Sequence, residues 1–364
     1  MIVQDCISIL ENFAPLQYQE SYDNAGLLVG NRNDTITKAL ITIDVTPAVV
    51  QEAIDCKADI IIAHHPLIFK PLKRLTDSSD VETCVGLAIK HSIAIYACHT
   101  NLDAMIHGVN AKICEKIGLQ HCKIMVPRQN QLTKLVTFVP NAYIEKVQEA
   151  IFSAGAGSIG NYDKCSFFAQ GTGTFRANEQ ANPFVGEKNE LHNEPETRIE
   201  TIFPNEKTNE VLSALFANHP YEEVAYDLYP VRNTYPLAGD GMIGEFLQPM
   251  ETMEFLKFIK QSFHCGSIKY TASDKKTISK VAVCGGSGSF LIQDALRQKA
   301  DIFITADVKY HDFFLANNSL ILADIGHYES EQYTKELFYE LLNKNFYNFA
   351  IQISKVNTNP INYL

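Results

Sequence analysis

Three short segments concentrate side chains able to hold a metal ion: Ala63-His64-His65-Pro66, His99-Thr100-Asn101-Leu102-Asp103, and Asp324-Ile325-Gly326-His327-Tyr328-Glu329-Ser330-Glu331. Each follows an apolar run. Taken singly, each has a bland reading, because paired histidines after a strand can be loop residues and an i, i+4 His and Glu pair is usually a solvated helix face. Taken together, three imidazoles and two carboxylates stand at three strand ends of a chain with 11 histidines. The set His64, His65, Asp103, His327 and Glu331 is therefore expected to ligate metal. If Gly326 leads into a helix, His327 and Glu331 point from one face at one ion. Mixed nitrogen and oxygen ligands suit Zn, Fe, Mn, Ni or Co better than Ca or Mg cages. A catalytic zinc uses about three protein ligands, so five imply two divalent ions, with Glu331 the first choice as bridge. Such a pair lowers the pKa of a shared water, and hydrolysis is the natural chemistry. Two divalent ions facing two carboxylates would also draw an anion such as phosphate.

Asn24, Asp44, His99, Asp307 and His311 are the expected partners that orient the ligand imidazoles or handle protons. With Glu331, the catalytic expectation falls on His99, Asp307 and His311. The run Gly285-Gly286-Ser287-Gly288-Ser289 follows a strand and opens a helix, so Gly286, Ser287 and Gly288 form either an anion site at a helix N-terminus or a tight structural turn. No Gly-Lys-Ser/Thr follows, which excludes a triphosphatase phosphate loop. Gly155-Ala156-Gly157-Ser158-Ile159-Gly160 matches a dinucleotide fingerprint in letters only, since it comes after a helix and before a strand. Cys98, beside His99, ends an apolar strand and reads as packed rather than nucleophilic. His219-Pro220-Tyr221-Glu222-Glu223 reads as a turn into a strand, its spacing too irregular for a second metal site.

The elements that must position these residues are visible as an internal repeat. Residues 38–65 and 280–307 align without a gap, each as a strand, a helical stretch and a second strand, Ile60-Ile61-Ile62-Ala63 in one copy and Ile302-Phe303-Ile304-Thr305 in the other. Unbroken apolar runs mark strands buried on both faces, as in parallel sheets. Further strands follow at Ile93–Cys98 and Leu320–Asp324. In such sheets ligands gather at the carboxyl ends of strands, where all three metal-binding segments lie. The fold class is thus α/β, two similar lobes sharing a metal site. Between them the character changes to short strands, polar turns and helical spacing at 144–154 and 209–218, an inserted α+β domain over 128–236 within a discontinuous core of 1–127 and 237–364. The stretch 177–195, rich in Asn, Glu and Pro, reads as a solvated loop.

Composition narrows the function. Of 364 residues, 46% are hydrophobic and 20% charged, which suits a folded globular protein. The net charge of −11, with no basic run, disfavours nucleic-acid binding. No apolar run reaches a membrane span and no leader pattern opens the chain. Nine scattered cysteines without C-x-x-C spacing fit a reducing, cytoplasmic setting.

Taken as a whole, these motifs resemble the Nif-three-like (Ngg-one-interacting factor three) family, whose bacterial members are known as GTP cyclohydrolase type-2 homologues. The resemblance rests on Glu20-Ser-Tyr-Asp-Asn-Ala-Gly-Leu-Leu-Val-Gly30, Ala63–Pro66, His99–Asp103, Val283–Ser289 and Asp324–Glu331. The inserted segment, with Gly171-Thr-Gly-Thr-Phe175 and His219–Glu223, is similar to a CutA or PII-like ferredoxin-type domain. The resemblance implies a di-metal centre on His64, His65, Asp103, His327 and Glu331, and a toroidal homohexamer. It also implies opening of the guanine imidazole ring of GTP with release of formate. Two other functions accompany it: a metal-binding ring whose insert senses a small ligand without turnover, and an adaptor for transcription factors or DNA, which the charge opposes. The chain departs from the family pattern at Tyr22, where Trp is usual, and at Ala306, where Gly is usual. Neither is a ligand position.

Overall fold

The repeat in the sequence is a repeat of structure. In a computed structural model describing residues 1–364, Lys38–Thr42, Ile60–Ala63 and Ala94–Ala97 are parallel neighbours in one sheet, and Thr277–Ser287, Ile302–Ala306 and Ile321–Asp324 in another. Each trio carries an antiparallel edge strand beside its last member, Gly26–Val29 in the first and Lys269–Tyr270 in the second. The sheets differ on the opposite side. There Ala350–Ile353 adds in parallel to Lys38–Thr42, whereas Thr234–Glu251 adds antiparallel to Thr277–Ser287 and is flanked by Gln120–Gln129.

Alternation explains why the central strands read as unbroken apolar runs. Ile41, Ile60, Ile62 and Tyr96 of the first sheet and Val281, Val283, Ile302 and Ile304 of the second enter one shared core. Their neighbours Leu40, Ile61 and Ile95, and Ala282, Phe303 and Leu322, face away into separate outer clusters. Side chains of period two with apolar surroundings on both faces leave polar residues only at the strand ends, such as Thr42, Thr305 and Asp324. The helices Val3–Phe13, Val109–Ile117, Thr252–Ser262 and Thr334–Asn345 contribute Leu10, Ile113, Phe255 and Phe338 to the shared core. Pro47–Asp55 and Asp80–Lys90 cover the outer face of the first sheet. Their N-termini are capped by Thr46, which accepts from the Val49 N–H, and by Ser79, which accepts from the Glu82 N–H.

One carboxylate per lobe joins the paired strands. Asp59 Oδ2 accepts from the backbone N–H groups of Thr37 and Lys38, at 2.6 and 3.0 Å. Asp301 Oδ2 accepts from Ser279 and Lys280, at 3.0 and 2.9 Å, while Lys275 binds its other oxygen. Burial alone would raise the Asp301 pKa, but Lys275 and the two N–H groups bring it below the usual carboxylate range. A depressed folded-state pKa adds stability above the unfolded value and loses it as pH falls. Asp301→Asn is expected to cost about 1–3 kcal/mol at pH 7. The deficit should shrink below about pH 4, as read by denaturant unfolding at both pH values.

The chain divides into two compact units, Met1–Pro127 with Pro236–Leu364, and Arg128–Tyr235. The second has strands Leu132–Pro140, Phe167–Arg176, Leu191–Pro204 and Tyr226–Val231, all antiparallel and ordered second, third, first, fourth. Helices Ile144–Ser153 and Thr208–Asn218 bury Val147, Ile151, Val211 and Leu215 against one face. This is a βαββαβ ferredoxin-like arrangement. One expectation is corrected: residues 191–195 are not loop but the start of a strand, with Leu191 opposite Arg176 and Pro195 opposite Thr172. A pairing partner distant in sequence overrides the weak local propensity of Asn, Glu and Pro. No helix is long and apolar enough to cross a membrane.

Candidate metal centre

The three candidate metal-binding segments each follow the carboxyl end of a buried strand, and those at His99 and Gly326 open a short helix. His64 and His65 follow Ile60–Ala63 directly, and their backbone N–H groups donate to the Ile43 carbonyl. His99 is the N-cap of the short helix Thr100–Asp103. Gly326, at φ +98°, is the N-cap of His327–Glu331. A side chain at that glycine would strike the Glu329 carboxylate, 2.2 Å from its Cβ position, so only glycine lets the chain turn here. The resulting helix sets His327 Nε2 3.2 Å from Glu331 Oε2.

Glu331 Oε2 is the centre of the cluster. It lies 3.0 Å from His65 Nε2 and 3.7 Å from His64 Nε2, and His64 Nε2 is 3.6 Å from Asp103 Oδ1. His327 Nε2 and His65 Nε2 approach to 3.3 Å. The ligand atoms of His65, His327 and Glu331, and those of His64, Asp103 and Glu331, form two groups, each within 4.8 Å and sharing Glu331. His99 joins His64 and His65 in a third.

Each imidazole has its outer nitrogen occupied. His64 Nδ1 donates to the Cys98 carbonyl at 2.9 Å, His65 Nδ1 to Asp44 at 2.7 Å, His327 Nδ1 to Asp307 at 2.6 Å and His99 Nδ1 to Asp23 at 2.8 Å. Bonds of this kind fix the tautomer and aim the Nε2 lone pair inward, as for metal-ligating histidines. With the Nδ1 atoms protonated, His64 Nε2, Asp103 Oδ1 and Glu331 Oε2 are buried without a hydrogen-bond partner in the protein. Lone pairs so close favour a positive charge between them. The residues therefore fit a metal centre.

Without metal, protons must serve instead. Burial opposes charge on His65, but Asp44 and Glu331 outweigh it and carry the pKa up to about 10. His327 rises to about 9 for the same reason, through Glu331 and Asp307. Fully buried His64 goes the other way and stays neutral. The carboxylates divide as well: burial and Glu331 push Asp103 up, whereas the imidazoles hold Glu331 down despite its burial. Divalent ions would displace these protons, coupling metal affinity to pH.

Not every expected partner is here. Asp44 and Asp307 hold ligand imidazoles, and His99 presents its ring to the cluster. Asn24 does not: its amide donates to the Ile68 carbonyl, and Asp23 takes the place at His99. His311 is exposed on the 3-10 helix Tyr310–Ala316, with Tyr310 and Phe314 as ring neighbours. The helix that begins at Tyr310 turns it outward. The Gly286-Ser287-Gly288 run packs against the cluster and helps orient it. The N–H groups of Gly285 and Gly286 are already bound by Asn110 Oδ1 and Ser330 Oγ, and Ser287 Oγ donates to Asp307 at 2.6 Å. Asp23 stood in the quoted motif beside Asn24. Asn110, which also donates to the Asp103 carbonyl, carried no signal. Cys98 is buried and its thiol pushed well up by burial, as a packed strand residue requires.

A family model described as Duf34/NIF3 (NGG1p interacting factor 3) matches residues 1–360. The chain belongs to this family. A relative from Halalkalibacterium halodurans is 38% identical over 368 residues, 99% of this chain and 98% of its own. One from Bacillus subtilis is 36% identical over 370 residues, again 99% and 98%. Both are named GTP cyclohydrolase 1 type 2 homolog. A crystal structure of a Bacillus cereus protein related to NIF3 superposes with a TM-score of 0.88 at 36% identity, over 100% of this chain and 99% of that one.

In this NIF3-family chain the imidazole-orienting carboxylates are separable from the cluster itself. Asp307→Asn, which keeps shape but loses the negative charge at His327 Nδ1, is expected to weaken metal binding about 10–100-fold. Competition with a chromophoric chelator reads this directly, and an unchanged affinity would remove Asp307 from the site.

Proposed function

We propose that the cluster holds two divalent ions bridged by Glu331, and that the protein is a hydrolase of nucleotides or related phosphorylated small molecules. Its sharpest form is a GTP cyclohydrolase that opens the guanine imidazole ring and releases formate. The observation that carries the reading is Glu331 Oε2, buried without a protein partner and 3.0–3.7 Å from three imidazole nitrogens. The relatives' names support the choice of reaction.

In this reading His64, His65, Asp103, His327 and Glu331 hold the ions. When bound, the ions supply Lewis acidity, activating water and neutralising an anionic substrate. Asp44, Asp307 and the Cys98 carbonyl keep the imidazoles in one tautomer and orientation. His99, anchored by Asp23, has its Nε2 free to take a proton from attacking water and return it to the departing ring nitrogen. Two successive water additions at the ring carbon between the nitrogens first open the ring and then free formate. Assembly as a cytoplasmic homohexameric ring belongs to the same proposal.

The test is formate release from GTP and a nucleotide panel by metal-reconstituted protein, with Glu331→Gln as control. Release that disappears in the variant supports the cyclohydrolase. No release from any nucleotide by protein carrying two ions per chain overturns it.

A further inference from the structure

The inserted unit contains a cavity of about 580 Å³, lined entirely by its own residues. That volume suits a small molecule, and none of its lining belongs to the metal centre. Phe138, Glu196 and Arg198 project from the sheet face opposite the one that Ile199 and Val139 bury against the helices. The loop between Phe167–Arg176 and Leu191–Pro204 folds over that face, pinned where the Asn182 N–H donates to Glu222 at 2.6 Å.

Aromatic rings form much of the wall. Tyr221 lies 6.1 Å from Phe175 and 6.2 Å from Phe184, centroid to centroid. Phe184 sits on the covering loop, 49% exposed although it packs against Tyr143. The charge in the cavity is one-sided. Glu196 is only 8% exposed and forms no ion pair. Arg198, the basic side chain in the lining, is paired with Glu200 at 2.9 Å, and Glu222 and Glu223 add two more carboxylates. Burial and the adjacent Glu196 keep the Tyr221 phenol protonated. A buried carboxylate without a cation is unfavourable, and aromatic faces attract cations.

We propose that this cavity binds a small organic cation, an amine or quaternary ammonium on an apolar body. The charge rests against Glu196, and the body against Phe175, Phe184 and Tyr221. Anionic ligands are opposed by three carboxylates facing one guanidinium that is already paired. The site is independent of the hydrolase reading and can fail or stand without it.

The probe is benzyltrimethylammonium, titrated into the full-length, metal-loaded protein and followed by saturation-transfer NMR and calorimetry. Benzyl alcohol and phenylacetate serve as neutral and anionic comparators. The cation is expected to bind at least about tenfold more tightly than either comparator. Glu196→Gln and Phe184→Ala should each weaken it about tenfold, with metal content unchanged. Should Glu196→Gln fail to fold, the exposed Phe184→Ala decides alone. Equal binding of benzyl alcohol, undiminished binding by the folded variants, or no binding of the cation at millimolar concentration would overturn the proposal.

Discussion

Glu331→Ala is expected to strip the centre of metal as no other single change does. The residue is 2% exposed and its Oε2 faces His64, His65 and His327 at once. Losing a residue that merely orients a ligand costs about 10–100-fold in metal affinity, so losing the carboxylate that the proposed centre shares between its two ligand groups should exceed ~100-fold. The metal-free protein should suffer too, because the His65 and His327 charges lose their buried counter-ion, a loss worth about 3–5 kcal/mol when a buried pair is broken. Elemental analysis after dialysis reads the first effect, and chemical denaturation of the chelator-treated protein reads the second. His311→Ala is the control and should retain full metal. Full metal in Glu331→Ala would sink the bridging role.

Gly286→Ala should come close to the same loss without replacing a candidate ligand. Its Cβ would stand 2.4 Å from Glu331 Oε1 and 3.2 Å from His327 Cε1, at a backbone φ of +60°. The turn has little room to retreat. Gly285 N–H is bound to Asn110, Gly286 N–H to Ser330 Oγ, and the Gly286 carbonyl to Thr305 Oγ1. Glu331 must move instead. Gly118→Ala separates the collision from the backbone cost, since Gly118 also has positive φ, +81°, but a Cβ there meets nothing within 4 Å. That variant should lose only about 1 kcal/mol of stability and keep its metal. Equal metal retention by both variants, measured by elemental analysis, would show that Glu331 has freedom the packing denies.

The five clustered candidate ligands could be located from sequence because their placement is a local matter. A strand buried on both faces announces itself by composition, the residues after it stand at the sheet's carboxyl edge, and i, i+4 spacing aligns His327 with Glu331 on one turn of helix. The gapless repeat likewise revealed two lobes, since both strands of each lobe must satisfy the same two-faced burial. The partners of those ligands were less legible. Asp23 and Asn24 are neighbours on an irregular turn where no period dictates direction, and what separates them is that Asp23 meets His99, 76 residues away. The glycines at 286 and 288 read from sequence as an anion site or a tight turn, and only the fold shows Glu331 and Thr305 packed against them. Asn110 joins the turn at Asp103 to Gly285, which lies 175 residues beyond Asn110, and has nothing in its surroundings to announce it.

By itself the sequence determined the candidate ligand residues, the i, i+4 spacing of His327 and Glu331 and the two-lobed α/β architecture, all of which follow from short-range periodicity and from which runs must be buried. Only the tertiary structure decided which carboxylate holds which imidazole, that Glu331 stands between two groups of ligands, that His311 faces outward, and that the insert encloses an aromatic, acidic cavity. Those are contacts between segments far apart along the chain, and their geometry is settled by how whole sheets and helices pack rather than by any window of residues.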